Sequence, residues 1–446
     1  MDKAELTFHP EAAKRFDERT QEILLSIQKR RMVPNPGAKP LDLHPAYVIQ
    51  PADIISAPKF TFHHDATGEP IGVVWVSGNT HVGWEGPAFQ PLKSLLDDIA
   101  ETKPFSHLVL HRFLLEQTCH WLSEALERTR TDSLCAHITL QSNNAVRDYE
   151  IWIPLFQTYS SREFNIGDVA FKTFTREIVE EWWNRMPAGI RESEVLVTAA
   201  SRKRSELQAR LAASVRVRGE QYRAAQVALQ KAENATALLR FLSPANLDSR
   251  LTSFCRPVSR GVVPEVTRVF MDDGRINEIH QGVSDRNTDW LLDESIALRP
   301  GVLENIQRLA SDTSTKFASA LYDALILYSR QALAFDVSDK LVFTLSALES
   351  MLLKDGNEPI QQNLGERMAF LTGQNVQKRK AIVKNVRDVY GVRSAFVHHG
   401  QTARHVGIVD QFLINAWMTF SRLIDLSVLY KTKEALIGAL EDRKMS

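Results

Sequence analysis

Cysteine is scarce in this chain. Cys119, Cys135 and Cys255 are the only three in 446 residues, far apart and without C-x-x-C spacing. That excludes a disulfide framework and points to a reducing, cytoplasmic compartment. A charge excess of either sign is also missing, since 54 Lys and Arg balance 54 Asp and Glu. No global field draws the protein to nucleic acid or membrane, so any such attraction must come from a local patch. No run of about eighteen apolar residues occurs, and a transmembrane helix is not expected. The opening MDKAELTFHP has no apolar core of a signal peptide, and none is expected. P-loop, G-x-G-x-x-G and G-x-S-x-G motifs are all absent. Cys119 with His120, and Cys135 with His137, lack further ligands at zinc spacing. His63 and His64, before Asp65, would point to opposite sides of a strand and read as turn residues. No metal and no cofactor are therefore expected.

What is present is globular. The hydrophobic fraction is 44% and the charged fraction 24%, as in folded soluble domains. The length predicts two or three domains. We expect a mixed α/β N-terminal domain over 1–190, a helical or irregular connecting region over 191–304, and a helical domain over 305–446. The fold class expected is thus an α+β N-terminal half followed by an all-α up-and-down bundle.

Along the chain, Phe16, Ile23, Leu24 and Ile27 predict a helix over about Pro10 to Arg31. A proline-rich stretch from Pro34 to Pro58 predicts loop. KFTFHHDATGEPIGVVWVS predicts a β-hairpin turning at Asp65, Gly68 and Pro70. Leu108 to Arg130 predicts a long helix, whereas HITL, DYEIWIPLF and NIGDVAFKTF predict strands. Ser201 to Arg240 predicts one long helix with a basic first half carrying Arg202, Lys203, Arg204, Arg210, Arg216, Arg218 and Arg223. That half is either a solvated face or a phosphate-binding rail. Leu251 to Pro300 reads as irregular.

The C-terminal third, from about Phe317 to Leu440, has the clearest helical spacing. Phe317, Leu321, Leu325 and Tyr328 mark one helix, and Phe343, Leu345, Leu348 and Leu352 mark the next, capped by Ser338 or Asp339. Helices follow over about Leu364–Leu371 and Gln377–His398, the latter ended by Gly400, and a final one over about Val409–Leu440. Five helices with short connections predict the bundle.

VYGVRSAFVHHG places Arg393 and His398 five positions apart, with four residues between them. Histidine titrates near neutral pH and serves as base or acid. Arginine stays charged and grips phosphate with two N–H donors. The spacing alone is weak, because Arg275 and His280 repeat it in a stretch that reads as loop. Around Arg393 and His398, Lys378, Arg379, Lys380, Lys384, Arg387, Arg393 and Arg404 face Asp388 alone. Such a patch suits phosphate binding, or else complements a helix C-terminal dipole. Glu349, set among apolar residues, needs a partner and could pair with Arg393 or Arg367, for structure or to orient Arg393.

Three blocks in order carry a family resemblance: FTLSALESMLL with Glu349, LGERMAFLTG with Arg367, and KRKAIVKNVRDVYGVRSAFVHHG with Tyr390, Arg393, Ser394, His398 and Gly400. Over about the last 130 residues the chain resembles the Apea-like branch of the HEPN superfamily. IPLFQTYSSREFNIGDVAFKTFT and the helix ending ALLRFLSP resemble upstream parts of such proteins. The resemblance implies a metal-independent endoribonuclease with an R-x4-H motif on Arg393 and His398. It implies supporting roles for Glu349, His399, Tyr390 and Arg367, with His399 also a candidate alternative base. Lys378, Arg379, Lys380, Lys384 and Arg387 would bind RNA. Positions five apart on a helix point about 140° apart, so one chain cannot easily aim both groups at one phosphate. Fraying at Gly400 would relieve this, as would the homodimer that the resemblance implies. It further implies an effector of prokaryotic antiviral defence or a toxin system, with the N-terminal half as sensor of a phage-derived trigger or partner of a cognate antitoxin. The alternative is a non-catalytic module that binds nucleotide or RNA or dimerises.

Overall fold

The computed structural model describes residues 5–31, 60–77, 80–127, 129–185, 207, 209–253, 255–257, 265–272, 275–283, 290–299, 301–355, 358–399 and 406–445, with backbone alone for 30–31, 77, 104, 182–183, 265–272, 275–283, 296–298, 395–399 and 406. The chain divides into two compact units, Met1–Tyr149 with Arg216–Val227, and Glu150–Val215 with Ala228–Ser446. This division differs from the 190 and 304 boundaries expected, because residues 150–215 and 228–304 share a unit with the C-terminal helices. Among the described residues no helix is long and apolar enough to cross a membrane.

In the first unit, helix α1 (Pro10–Leu25) ends earlier than expected, and the chain turns into strand β1 (Gln28–Arg31). With β2 (Phe60–His64), β3 (Pro70–Ser77) and β4 (Thr80–Glu85) it forms an antiparallel sheet of order β1–β4–β3–β2. The expected hairpin is β2–β3, with Phe60 opposite Trp75. Helices α2 (Gln90–Glu101), α3 (Lys103–Ser106), α4 (His111–Leu126) and α5 (Leu134–Ala145) complete the unit. HITL, expected as a strand, lies inside α5. The Ser133 hydroxyl accepts from the Ala136 N–H at 3.2 Å, and this N-cap starts a helix that overrides two β-branched residues.

A second sheet, most of whose residues fall in the second unit, joins β5 (Arg147–Pro154), β7 (Phe164–Ile166), β8 (Val169–Thr173) and β9 (Leu211–Gly219) in the order β5–β9–β8–β7. A two-residue strand β6 (Thr158–Tyr159) runs parallel to β12 (Trp290–Leu291). Helix α6 (Arg176–Asn184) follows β8, and α7 (Gln221–Leu239) follows β9. The single helix expected from Ser201 to Arg240 is therefore replaced by a strand and a shorter helix. The reason is legible in SVRVRG, where Val215 and Val217 alternate with Arg216 and Arg218 at a period of two. Residues 201–206 lie outside the described residues, and Arg216, Arg218 and Arg223 divide between β9 and α7, so they form no single rail. Part of the stretch expected to be irregular is a hairpin, β10 (Glu265–Asp272) with β11 (Arg275–Val283).

The remaining helices are α8 (Leu292–Leu298), α9 (Val302–Ser311), α10 (Lys316–Ser329), α11 (Val337–Leu352), α12 (Ile360–Thr372), α13 (Val376–His399), α14 (Val406–Leu426) and α15 (Lys433–Met445). Leu341, Leu345, Leu348 and Leu352 bury one stripe of α11, and Phe412, Ala416, Phe420 and Leu423 one stripe of α14, the i, i+4, i+7 pattern of a core-facing helix. Helix α11 begins just after Asp336, so Ser338 and Asp339 lie in its first turn rather than at its cap. The last expected helix is two: the Thr432 hydroxyl accepts from the Ala435 N–H at 3.2 Å and starts α15 afresh. Gly365 permits the close approach of α12 to α13, for a Cβ there would meet the Val383 Cα at 3.4 Å.

Candidate functional site

Helix α13 carries most of the residues singled out by the sequence. Its backbone is helical through His399, so no fraying falls between positions 393 and 398. At 100° per residue these positions lie about 140° apart on the helix. Positions 380, 384, 387, 391, 394 and 398, by contrast, fall within about 40° of one line along it. Lys380, Lys384, Arg387, Gly391 and Ser394 are all exposed. The line therefore runs down the solvent face, and its cations lead to position 398 over about 27 Å. The side chains of His398 and His399, and Gly400 itself, lie outside the described residues.

Arg393 occupies another side of α13. It is half-buried, and its Nε is enclosed with no hydrogen-bond partner among the described residues. Beside it, the Tyr390 hydroxyl donates to Glu349 Oε1 at 2.6 Å. Burial raises the Tyr390 phenol, the Glu349 bond adds to this, and the charge of Arg393 opposes it. Glu349 is thus held by a neutral donor rather than by the ion pair with Arg393 or Arg367 that seemed open to it. The phenol is kept protonated and donates to Glu349.

Arg367 belongs elsewhere. Its guanidinium donates to Leu352 O at 2.6 Å, to Glu358 Oε2 at 2.7 Å and Oε1 at 2.9 Å, and to Glu441 Oε1 at 2.9 Å. The Arg367 bond holds the Glu358 carboxyl down at about 2. Arg367 is a buried clasp between α12, the segment before it and α15, with no donor turned towards Glu349.

The five cations expected to bind RNA divide in two. Lys380, Lys384 and Arg387 are exposed and have no ion-pair partner among the described residues. Arg379 instead donates to Gly373 O at 3.1 Å and lies over the Phe370 ring at 4.6 Å, which closes the turn between α12 and α13. Lys378 bonds the Gln374 amide at 3.3 Å. The dipole explanation for these cations fails for Lys378, Arg379 and Lys380, which sit in the first turn and a half of α13. A helix N-terminus disfavours positive charge.

The second Arg/His pair differs in geometry. Arg275 stands opposite Asp272 and His280 opposite Arg268 in the β10–β11 ladder, which separates them by about 13 Å along the strand. In the first unit, His63 Nδ1 lies 2.9 Å from Glu85 Oε1.

Two features were not anticipated from the sequence. One is a groove of about 890 Å³ lined by Glu358, Pro359, Ile360, Gln361, Gln362 and Glu366 on one wall and Val383, Arg387 and Tyr390 on the other. The i, i+4, i+7 spacing of the last three was the available signal. The other is Lys340, fully buried, whose Nζ donates to Leu251 O at 2.6 Å and Ala245 O at 3.4 Å. Burial pushes its ammonium down to about 8, against Asp248 and Asp410. Nearby, the buried Arg240 donates to Cys255 O at 2.9 Å and Ser329 Oγ at 3.3 Å. Lys340 ties the 240–257 segment to α11 through two carbonyls, and Arg240 ties it to α10 through the Ser329 hydroxyl. No family model, curated protein or solved structure matches the chain.

Proposed function

We propose that this protein is a metal-independent endoribonuclease of the HEPN type, with Arg393 and His398 as its catalytic residues. The carrying observation is α13 itself. An unpaired cation stripe on its solvent face leads to position 398, and a second face holds Arg393 with one enclosed Nε beside the Glu349–Tyr390 pair. In the reaction, His398 takes the proton of a ribose 2′-hydroxyl and the 2′-oxygen attacks phosphorus. The bond to the 5′-oxygen breaks, and that oxygen takes up a proton. Arg393 stabilises the charge on the non-bridging oxygens through Nη donors. Products carry 2′,3′-cyclic phosphate and 5′-hydroxyl ends.

The 140° divergence of the two positions on an unbroken helix supports a homodimer in which Arg393 of one protomer and His398 of the other serve one phosphate. In the biological role we infer, the N-terminal half senses a trigger or antitoxin and the C-terminal helices act on RNA as a defence or toxin effector. The test is cleavage of total RNA in EDTA by the parent and three variants. His398→Ala and Arg393→Ala should each lower the rate about a hundredfold to ten-thousandfold, with unchanged melting curves, and His280→Ala should match the parent. A folded His398→Ala protein that cleaves like the parent would remove the assignment. A parent inert on all RNA would leave a binding or dimerising module.

A further inference from the structure

The groove between α12 and α13 opens beside the cation stripe and shares Tyr390 with the Glu349 pair. Arg387 belongs to both groove and stripe. Its two acidic side chains are already neutralised, Glu358 by Arg367 and Glu366 by Lys444. What remains on the walls is apolar and neutral: Pro359, Ile360 and Val383, the Tyr390 ring, and the Gln361 and Gln362 amides. Ile360 is 38% exposed there. A groove with an aromatic ring, aliphatic walls, side-chain amides and one unpaired guanidinium at its lip matches the parts of a nucleotide. The flat base has stacking partners, the Gln361 amide presents both a donor and an acceptor to a base edge while Gln362 donates to Glu366 Oε1 at 3.0 Å, and the phosphate has Arg387.

We infer that this groove seats one base of a single-stranded RNA whose phosphates run along Lys380, Lys384 and Arg387, and that it sets the base preference of the proposed ribonuclease. The inference rests on the ribonuclease reading and adds a subsite to it. A strand fits better than a duplex, since a base must leave its stack to enter a groove between two helices. The cations supply affinity without sequence information, and the groove adds groups that distinguish one base from another.

Binding of labelled homopolymeric A, C, G and U oligoribonucleotides is measured by fluorescence anisotropy on the full-length His398→Ala protein, and cleavage of the same oligomers on the parent. One base should bind about tenfold tighter than the weakest, the scale of a single base–aromatic stack. Gln361→Trp, at an exposed position, fills the groove. Ile360→Asp removes an apolar wall and adds an acid to the first turn of α12, where the dipole favours it. Each should erase the preference with an unchanged melting curve, whereas Lys384→Ala should weaken all four oligomers alike. Four oligomers bound equally, or a preference that survives both groove variants, overturns the subsite and leaves the ribonuclease assignment standing. Displacement by polyglutamate as effective as by RNA of equal charge overturns it too. A parent that neither binds nor cleaves any oligomer removes both readings.

Discussion

At the scale of single residues, buried charges separate structure from chemistry. Arg367 spends its donors on one carbonyl and two carboxylates. Removing one partner of such an arrangement strands the others, at a cost of about 3 kcal/mol or more. Arg367→Met should lower the melting temperature by several degrees. Arg367→Lys should restore little of it, because an ammonium lacks the planar fork that meets Glu358 with two bonds. A variant that melts like the parent but loses activity would return Arg367 to the site. Lys340 makes a pH prediction. Its folded pKa of about 8 lies below the ordinary 10.5, so between these values the unfolded chain binds more protons. Stability from this group is lowest below pH 8 and rises as pH increases towards 10.5, by about 3 kcal/mol in all. Urea titrations across that window should show the rise in the parent, and a smaller one in Lys340→Met. Equal slopes would place the ammonium in contact with solvent.

At the scale of elements, the register of α13 can be tested directly. Gly391 lies on the exposed line between Arg387 and Ser394, and a Cβ there would meet nothing within 4 Å. Gly391→Ala should therefore stabilise the protein by about 0.5–1 kcal/mol, the helix-propensity difference of the two residues. A destabilised variant would mean that this face is covered. Positions within α13 were legible because cations, apolar residues and the Arg/His pair repeat at helical intervals. The Asn385–Asn415 amide pair, at 3.0 Å, was not legible. It joins α13 to α14, and the bond from Asn385 to Ile408 O at 2.9 Å exists only once the two helices are side by side. The same holds for Tyr390 and Glu349, which are 41 residues apart.

At the scale of the whole molecule, the absence of net charge gives salt a diagnostic use. With Lys380, Lys384 and Arg387 as the phosphate contacts, log affinity for single-stranded RNA should fall with log salt at a slope of about −2. A slope much steeper would call for a wider basic surface than this stripe. Light scattering at micromolar concentration should give twice the chain mass of 50.5 kDa. A monomer that still cleaves RNA would rule out a site shared between two copies.

The sequence by itself determined the α+β character of the N-terminal half and the run of helices after it. Both follow from the spacing of apolar residues, which acts over a few neighbours. It also singled out Arg393, His398 and the cations of α13, because residue type and interval are local facts. Only the tertiary structure decided what each charged group meets. It took Arg367 and Arg379 into structural bonds, left Lys380, Lys384 and Arg387 in solvent, and paired Glu349 with Tyr390. It decided, too, where the alternating Ser214–Gly219 segment pairs, with β9 running between β5 and β8. The physical reason is the same throughout. A side chain's partner depends on which distant segment burial brings beside it, and no local interval fixes that.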